Sequence, residues 1–220
     1  MVLVLAGVNG AGKSSVGGAM LHEHGLTWFN PDAFSRELMV RRGVGKDAAD
    51  AAAWAYGKAR FEAAIADKTD FAFETTLGGS TMARLIDTAA ETHDVVMIFC
   101  GLDSIERHIA RVRLRVQHGG HDIPEGRIRG RWSSARRNLI ALLPRLAQLQ
   151  LFDNSQEAPP SADIPEPVLV LEMKDCRVLY PDRDHVAALK AIPDWAKPIV
   201  EAAFRCDAAN GGPRDRNLPT

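Results

Sequence analysis

The stretch VLVLAGVNGAGKS, Val2 to Ser14, decides how the rest of the chain is read. Val2 to Ala6 is a short apolar run of the kind that forms a buried strand, and Gly7 to Ser14 behind it has the spacing G-x-x-x-x-G-K-[ST]. A loop folded round phosphate groups must turn its amide N–H groups inward, into backbone angles that side chains obstruct and glycine tolerates. Gly7, Gly10 and Gly12 meet that need, and the expected nucleotide-binding residues are these three with Asn9, Ala11, Lys13, Ser14 and Ser15. A helix expected over 13–24 aims its unpaired N–H groups and the positive end of its dipole at the same anion. Lys13 is expected to reach the β- and γ-phosphates, Ser14 to offer its hydroxyl to Mg²⁺, and Ser15 to contact the α-phosphate. A dinucleotide fingerprint is excluded, because Ser15 stands where G-x-G-x-x-G needs its last glycine. The loop therefore reads as the holder of a nucleoside triphosphate.

With 220 residues, 46% hydrophobic and 25% charged, the chain suits one α/β domain with a sizeable core, expected over 1–204, followed by a loose Gly/Pro-rich tail over 205–220. A formal charge of -1 argues against wholesale nucleic-acid binding. Cys100, Cys176 and Cys206 show no metal or redox spacing, which fits a reducing cytoplasm. The N-terminal apolar run lacks a basic start and is far shorter than a membrane span, which again points to the cytoplasm and to no membrane partner.

Strand and helix patterns alternate, the signature of a mainly parallel sheet with helices on both faces. Strands are expected at 2–6, 26–30, 71–75 and 95–100, and helices at 13–24, 47–66, 80–92, 104–117 and 125–150. The apolar runs VLVLEM and CRVLY flank Lys174-Asp175 as a terminal hairpin, and QEAPPSADIPEP, with four prolines, is an irregular loop. In such sheets ligands collect at the carboxyl ends of the strands, so the residues just after each strand are the candidates.

Asp32, in WFNPDAF, is placed to accept a proton from a substrate hydroxyl attacking the γ-phosphate, or else to cap the helix that follows. Glu74 ends the run FAFE and can orient a substrate hydroxyl or a metal-bound water, or bond nearby loop amides. Asp103, after VVMIFC, superficially resembles a metal-binding carboxylate at a strand end. Asp103-Ser-Ile-Glu106 has capping-box spacing, however, which accounts for both acids without a metal.

Charge is most lopsided over 104–150, with ten arginines, no lysines and three acids, Glu106, Asp122 and Glu125. Arg136, Arg137 and Arg145 read as a solvated helix face. RVRLRVQHGGHDIPEGRIRGRW breaks its helix at Gly119-Gly120 and Pro124, placing arginines on both sides of a mobile turn, as an arginine-rich helical lid requires. Guanidinium groups brought in by closure stabilise the charge that phosphoryl transfer spreads over oxygens. His118 and His121 lack further ligand residues and are not read as a metal site.

Together these residues resemble the zeta toxin family of P-loop kinases. The matching pieces are GVNGAGKS, FNPD, FETTL, the stretch RV-x-x-RV-x-x-GGHDIP-x-x-x-IR-x-R, and FDNS at Phe152 to Ser155. They span roughly residues 2 to 155; nothing after Ser155 matches, and Gly130 separates the last two arginines of the pattern. The resemblance implies a P-loop nucleoside triphosphate hydrolase/kinase fold and an ATP-dependent phosphotransferase with an alcohol acceptor. It implies that Lys13 binds phosphate, Asp32 is the catalytic base, and Arg115 with one or both of Arg129 and Arg131 contacts the transferring phosphoryl group. Glu74 and Thr76 fall where the family contacts substrate, and the implied acceptor is a UDP-sugar, UDP-N-acetylglucosamine. An antitoxin protein is a possible partner on the same ground. Two other readings keep the loop: a kinase for another metabolite, nucleoside or antibiotic, and a non-enzymatic ATP-binding switch.

Overall fold

Val2–Ala6 (β1) is buried along its whole length because it runs through the interior of a six-stranded sheet. The structure is a computed structural model that describes residues 1–13, 16, 28–120, 122–157 and 165–211. The other strands are Phe71–Thr75 (β2), Val95–Gly101 (β3), Gln148–Asp153 (β4), Val168–Lys174 (β5) and Arg177–Tyr180 (β6), in the order β2-β1-β3-β4-β5-β6. β1 pairs in parallel with β2 and β3, and β3 with β4, whereas β5 and β6 form an antiparallel hairpin beside β4. Both faces of β1 are covered: Val2, Val4 and Ala6 enter the main core, while Leu5 packs with Ala11, Ile98 and Cys100 on the other side. The connection leaving β1 leads to β2 and that leaving β3 leads to β4, in opposite directions. The crevice between β1 and β3 is thus the switch point at which such sheets bind ligands.

The helices are Pro31–Arg42 (α1), Lys46–Asp67 (α2), Ser80–Ala89 (α3), Ile105–Gln117 (α4), Glu125–Leu142 (α5), Val186–Ala191 (α6) and Lys197–Asn210 (α7). α2 buries Ala49, Ala53, Gly57 and Phe61, a stripe of mostly small residues four apart. That stripe lets the Phe29 ring approach so closely that a Cβ on Gly57 would lie 2.3 Å from it. Phe61, fully buried against Phe71 and Phe73, contributes about 2–3 kcal/mol of burial.

Four expectations change. The helix expected over 125–150 ends at Leu142; Leu143–Arg145 is a 3₁₀ turn with Pro144 in its first turn, and Gln148–Asp153 is a strand. Proline cannot continue the hydrogen-bond ladder, and QLQLF alternates with period two, burying Leu149 and Leu151. Of the strand expected over 26–30, residues 28–30 are described, and Phe29 makes one parallel bridge to Phe73. The tail expected from 205 does not start there, because α7 runs to Asn210 and buries Ile199, Val200, Ala202 and Ala203. Finally, Cys176 and Cys206, 5.5 Å apart at Cα, are disulfide-bonded despite showing no redox spacing. Disulfides persist in oxidising surroundings, so cysteine usage does not support the cytoplasmic expectation. The helix expected over 13–24 falls largely outside the described residues, as do 158–164 of the proline-rich loop and 212–220 of the tail. Among the described residues no helix is long and apolar enough to cross a membrane.

Candidate active site

The turn behind β1 is set by close approach. Gly7 has φ 142°, and a Cβ there would lie 2.3 Å from the Cys100 carbonyl oxygen at the end of β3. Gly12 has φ 82°, and its Cβ would meet the Asn154 side-chain nitrogen at 2.3 Å. Gly7 therefore excludes other residues by conformation and by space, and Gly12 by conformation. Asn154, directly after β4, donates from Nδ2 to the Ala11 carbonyl at 2.9 Å, so FDNS braces the glycine loop from the neighbouring strand. Ser155 and Asp153 complete this brace, with Ser155 accepting from the Asp103 amide (2.7 Å) and donating to Asp153 (2.5 Å).

Lys13 is 7% exposed, and its Nζ lies 3.4 Å from Glu74 Oε1. Asn30 joins two more parts of the site. Its Oδ1 accepts from the Ala33 amide at 3.0 Å and caps α1, and its Nδ2 donates to Glu74 Oε2 at 2.8 Å. The cap thus falls to Asn30, with Pro31 at the first helical position and Asp32 in the first turn. This separates the two roles open to Asp32, which lines a cavity of about 680 Å³ together with Asn9, Lys13, Glu74, Thr76 and Arg131.

α5 stands at this cavity through side-chain bonds to the turn after β2. Ser134 Oγ donates to the Gly78 carbonyl at 2.8 Å, and Asn138 Nδ2 donates to the Leu77 carbonyl at 2.7 Å. The helix expected to close as a lid is docked, with its arginines already sorted by face. Arg127 and Arg131, four residues apart, share one side and both line the cavity. Arg129 is turned about 200° from Arg131 and pairs with Glu106 at 3.2 Å. Arg115, at the end of α4, packs along Gly120, where a Cβ would lie 2.6 Å from its Cγ. Neither Arg115 nor Arg129 is among the cavity-lining residues. Burial lowers the pKa of Arg131, and Arg127 acts in the same direction while Asp32 opposes it; an arginine stays charged regardless.

Asp103 is engaged by Arg107 at 2.8 and 3.0 Å, and this bonding holds its carboxyl below the usual range. Ser104, one residue beyond the expected cap, accepts from the Arg107 amide at 3.3 Å. His118 Nδ1 donates to the Leu114 carbonyl at 2.9 Å. Among the described residues no group of three or more His, Cys, Asp or Glu is placed to hold a metal. Ser14, Ser15 and His121 lie outside the described residues.

Several site residues escaped the sequence reading. Asn30 and Asn154 were legible only as parts of FNPD and FDNS, and Arg127 is the i−4 neighbour of Arg131. Asp47, Asp50 and Trp54 come to the wall on α2, a helix with no motif. His108, 1% exposed, donates from Nδ1 to the Asn9 carbonyl at 2.8 Å. Burial pushes its pKa down to about 4, so it is neutral in the folded protein at ordinary pH. The unfolded histidine titrates near 6.5, so the stability it contributes is complete above that pH and is lost as pH falls towards 4. The expected loss is about 3 kcal/mol. Urea unfolding between pH 7 and 4 should show it, and the difference from His108→Asn, which keeps a donor but does not titrate, should shrink by that amount. A pH-independent difference would contradict the assignment.

A glycine cradle at the switch point, a buried lysine, a carboxylate and two arginines facing one cavity define the class: a P-loop nucleoside triphosphate-binding fold. No family model matches the chain. An uncharacterized protein of Haemophilus influenzae (strain ATCC 51907 / DSM 11121 / KW20 / Rd) is 29% identical over 133 residues, covering 57% of this chain and 88% of that protein. Among solved structures, the complex AvrRxo1-ORF1:-ORF2 with ATP superposes with a TM-score of 0.62 at 16% identity, covering 95% of this chain and 75% of that one. The PezAT chromosomal toxin-antitoxin system of Streptococcus pneumoniae gives a TM-score of 0.55 at 12% identity, covering 95% and 86%. At these identities the likeness is one of fold alone.

Proposed function

We propose that the chain is an ATP-dependent phosphotransferase that moves the γ-phosphoryl group to a hydroxyl of a small molecule, with a UDP-amino sugar such as UDP-N-acetylglucosamine as acceptor. The observation that carries this reading is the presence of Lys13 and Asp32 on one cavity, with Glu74 at the end of β2 paired to Lys13. A structural neighbour solved with ATP supports the nucleotide. In the reaction the acceptor hydroxyl attacks the γ-phosphorus, its proton passes to the Asp32 carboxylate, and the bond to the β–γ bridging oxygen breaks to leave ADP. Lys13 holds the phosphate tail, and Arg131 with Arg127 offsets the charge that develops on the transferred group. Ser14 is the proposed protein ligand of Mg²⁺, which would neutralise part of the phosphate charge. Glu74 and Thr76 orient the acceptor.

The acceptor's class rests on the motif resemblance, and one observation favours a second reading. The cavity wall carries Asp32, Asp47 and Asp50, and the Lys46 ammonium is paired with Asp50. Carboxylates accept hydroxyl and ammonium hydrogens and repel phosphates, which favours a neutral or cationic acceptor such as a nucleoside or an aminated antibiotic. Incubation with ATP and UDP-N-acetylglucosamine, followed by mass spectrometry, should yield a sugar nucleotide heavier by one phosphate. Phosphate on a different member of an acceptor panel would select the second reading. Tight ATP binding with no phosphorylated product from any acceptor would leave a nucleotide-operated switch.

A protein antitoxin belongs to the proposal as a partner, since the AvrRxo1-ORF1 structure contains ORF2 and PezAT is a toxin-antitoxin system. The need for ATP is the ground for placing the protein in the cytoplasm.

A further inference from the structure

We propose that Asn9 is a positioning residue that aims Arg131 at the γ-phosphate end of the glycine loop, so that the nucleotide loop itself sets the arginine. The inference rests on the nucleotide-binding part of the reading above and is independent of the acceptor. Asn9 is 6% exposed, and its Oδ1 accepts from Arg131 Nη1 at 2.7 Å across 122 residues of chain. Its own backbone cannot drift, because the Asn9 carbonyl accepts from the buried His108 ring at 2.8 Å. The arginine stem is confined from the other side: a Cβ on Gly78 would lie 2.6 Å from Arg131 Cγ. The guanidinium held between Gly78 and Asn9 lines the same cavity as Lys13.

The chemistry of the acceptor atom matters. Glu106 pairs with Arg129 by charge and so offsets it, whereas the amide oxygen of Asn9 holds Arg131 by a hydrogen bond and brings no opposing charge of its own. A neutral partner fixes direction without cancelling the field. The side chain acts only through Arg131, while the backbone amide of Asn9 belongs to the phosphate cradle whatever the side chain.

The test is the preference for ATP over ADP, measured by calorimetric titration of each nucleotide with Mg²⁺ and no acceptor. Wild type should prefer ATP by about tenfold or more, the usual worth of a charge-assisted hydrogen bond. Arg131→Ala and Asn9→Ala should each abolish most of that preference, weakening ATP far more than ADP, and the double variant should be no worse than Arg131→Ala alone. Gly78→Ala, which displaces the arginine stem without touching the loop, should lose the preference in the same way. Equal losses for ADP and ATP in Asn9→Ala would mark a merely structural asparagine and overturn the inference, as would effects that multiply in the double variant or a wild type with no preference. If the preference behaves as expected but no acceptor is ever phosphorylated, the inference stands and the kinase reading falls. Absence of any nucleotide binding by the wild type would overturn both.

Discussion

Arg131→Ala is expected to lower phosphoryl transfer by about 10³-fold or more, the contribution typical of an arginine that meets the transferring group. The expectation comes from placement rather than from the abundance of arginines in this region. Arg131 faces the cavity, half-buried, beside Lys13 and within electrostatic reach of Asp32. In such a site the charge needs no reorganisation at the moment of reaction, which is where electrostatic stabilisation is most effective. Arg129 supplies the internal comparison, because it has the same chemistry two residues away and spends it on exposed Glu106. An exposed pair of that kind contributes roughly 0–1 kcal/mol to folding stability and lies off the cavity, so Arg129→Ala should leave turnover nearly unchanged. Steady-state turnover of the two variants on the acceptor found by mass spectrometry decides the matter. Equal losses would mean that α5 reorients during turnover and that its docked position is not the reacting one.

Asp32→Asn should reduce kcat by about 10²- to 10⁴-fold with ATP affinity nearly intact, the share usual for a general base. Asparagine keeps the shape and the place in the first turn of α1 but cannot take the hydroxyl proton. Because Asn30 and not Asp32 caps the helix, the substitution should leave the cap intact. This separates a chemical loss from a structural one. Normal turnover in the variant would remove Asp32 from the reaction, and a large fall in melting temperature would show that the acid supports the helix after all.

Much of this site was legible because its chemistry is local. The glycines behind β1 are dictated by the approach of β3 and Asn154, but the spacing that results is visible in eight residues. FNPD announced both a helix start and an acid, although its division of labour between Asn30 and Asp32 appears only when Glu74 is seen accepting from Asn30. The strand at Gln148–Asp153 was also written in the sequence, as an alternation following a proline, and was obscured by the helical pattern running into it. By contrast, nothing local marks Asp50 or Trp54, which reach the cavity because a stripe of small residues lets α2 pack close.

By itself the sequence determined the phosphate-binding turn, the alternating α/β order and the acids at the strand ends, since each depends on residues within a few positions of one another. It left open whether one or both of Arg129 and Arg131 meet the site, although residues two apart on a helix point to nearly opposite sides. Only the tertiary structure decided which of them does. That choice is made by bonds from Ser134 and Asn138 to a turn 56 and 61 residues away, and by Asn9 across 122, contacts that exist only once the chain has brought distant segments together.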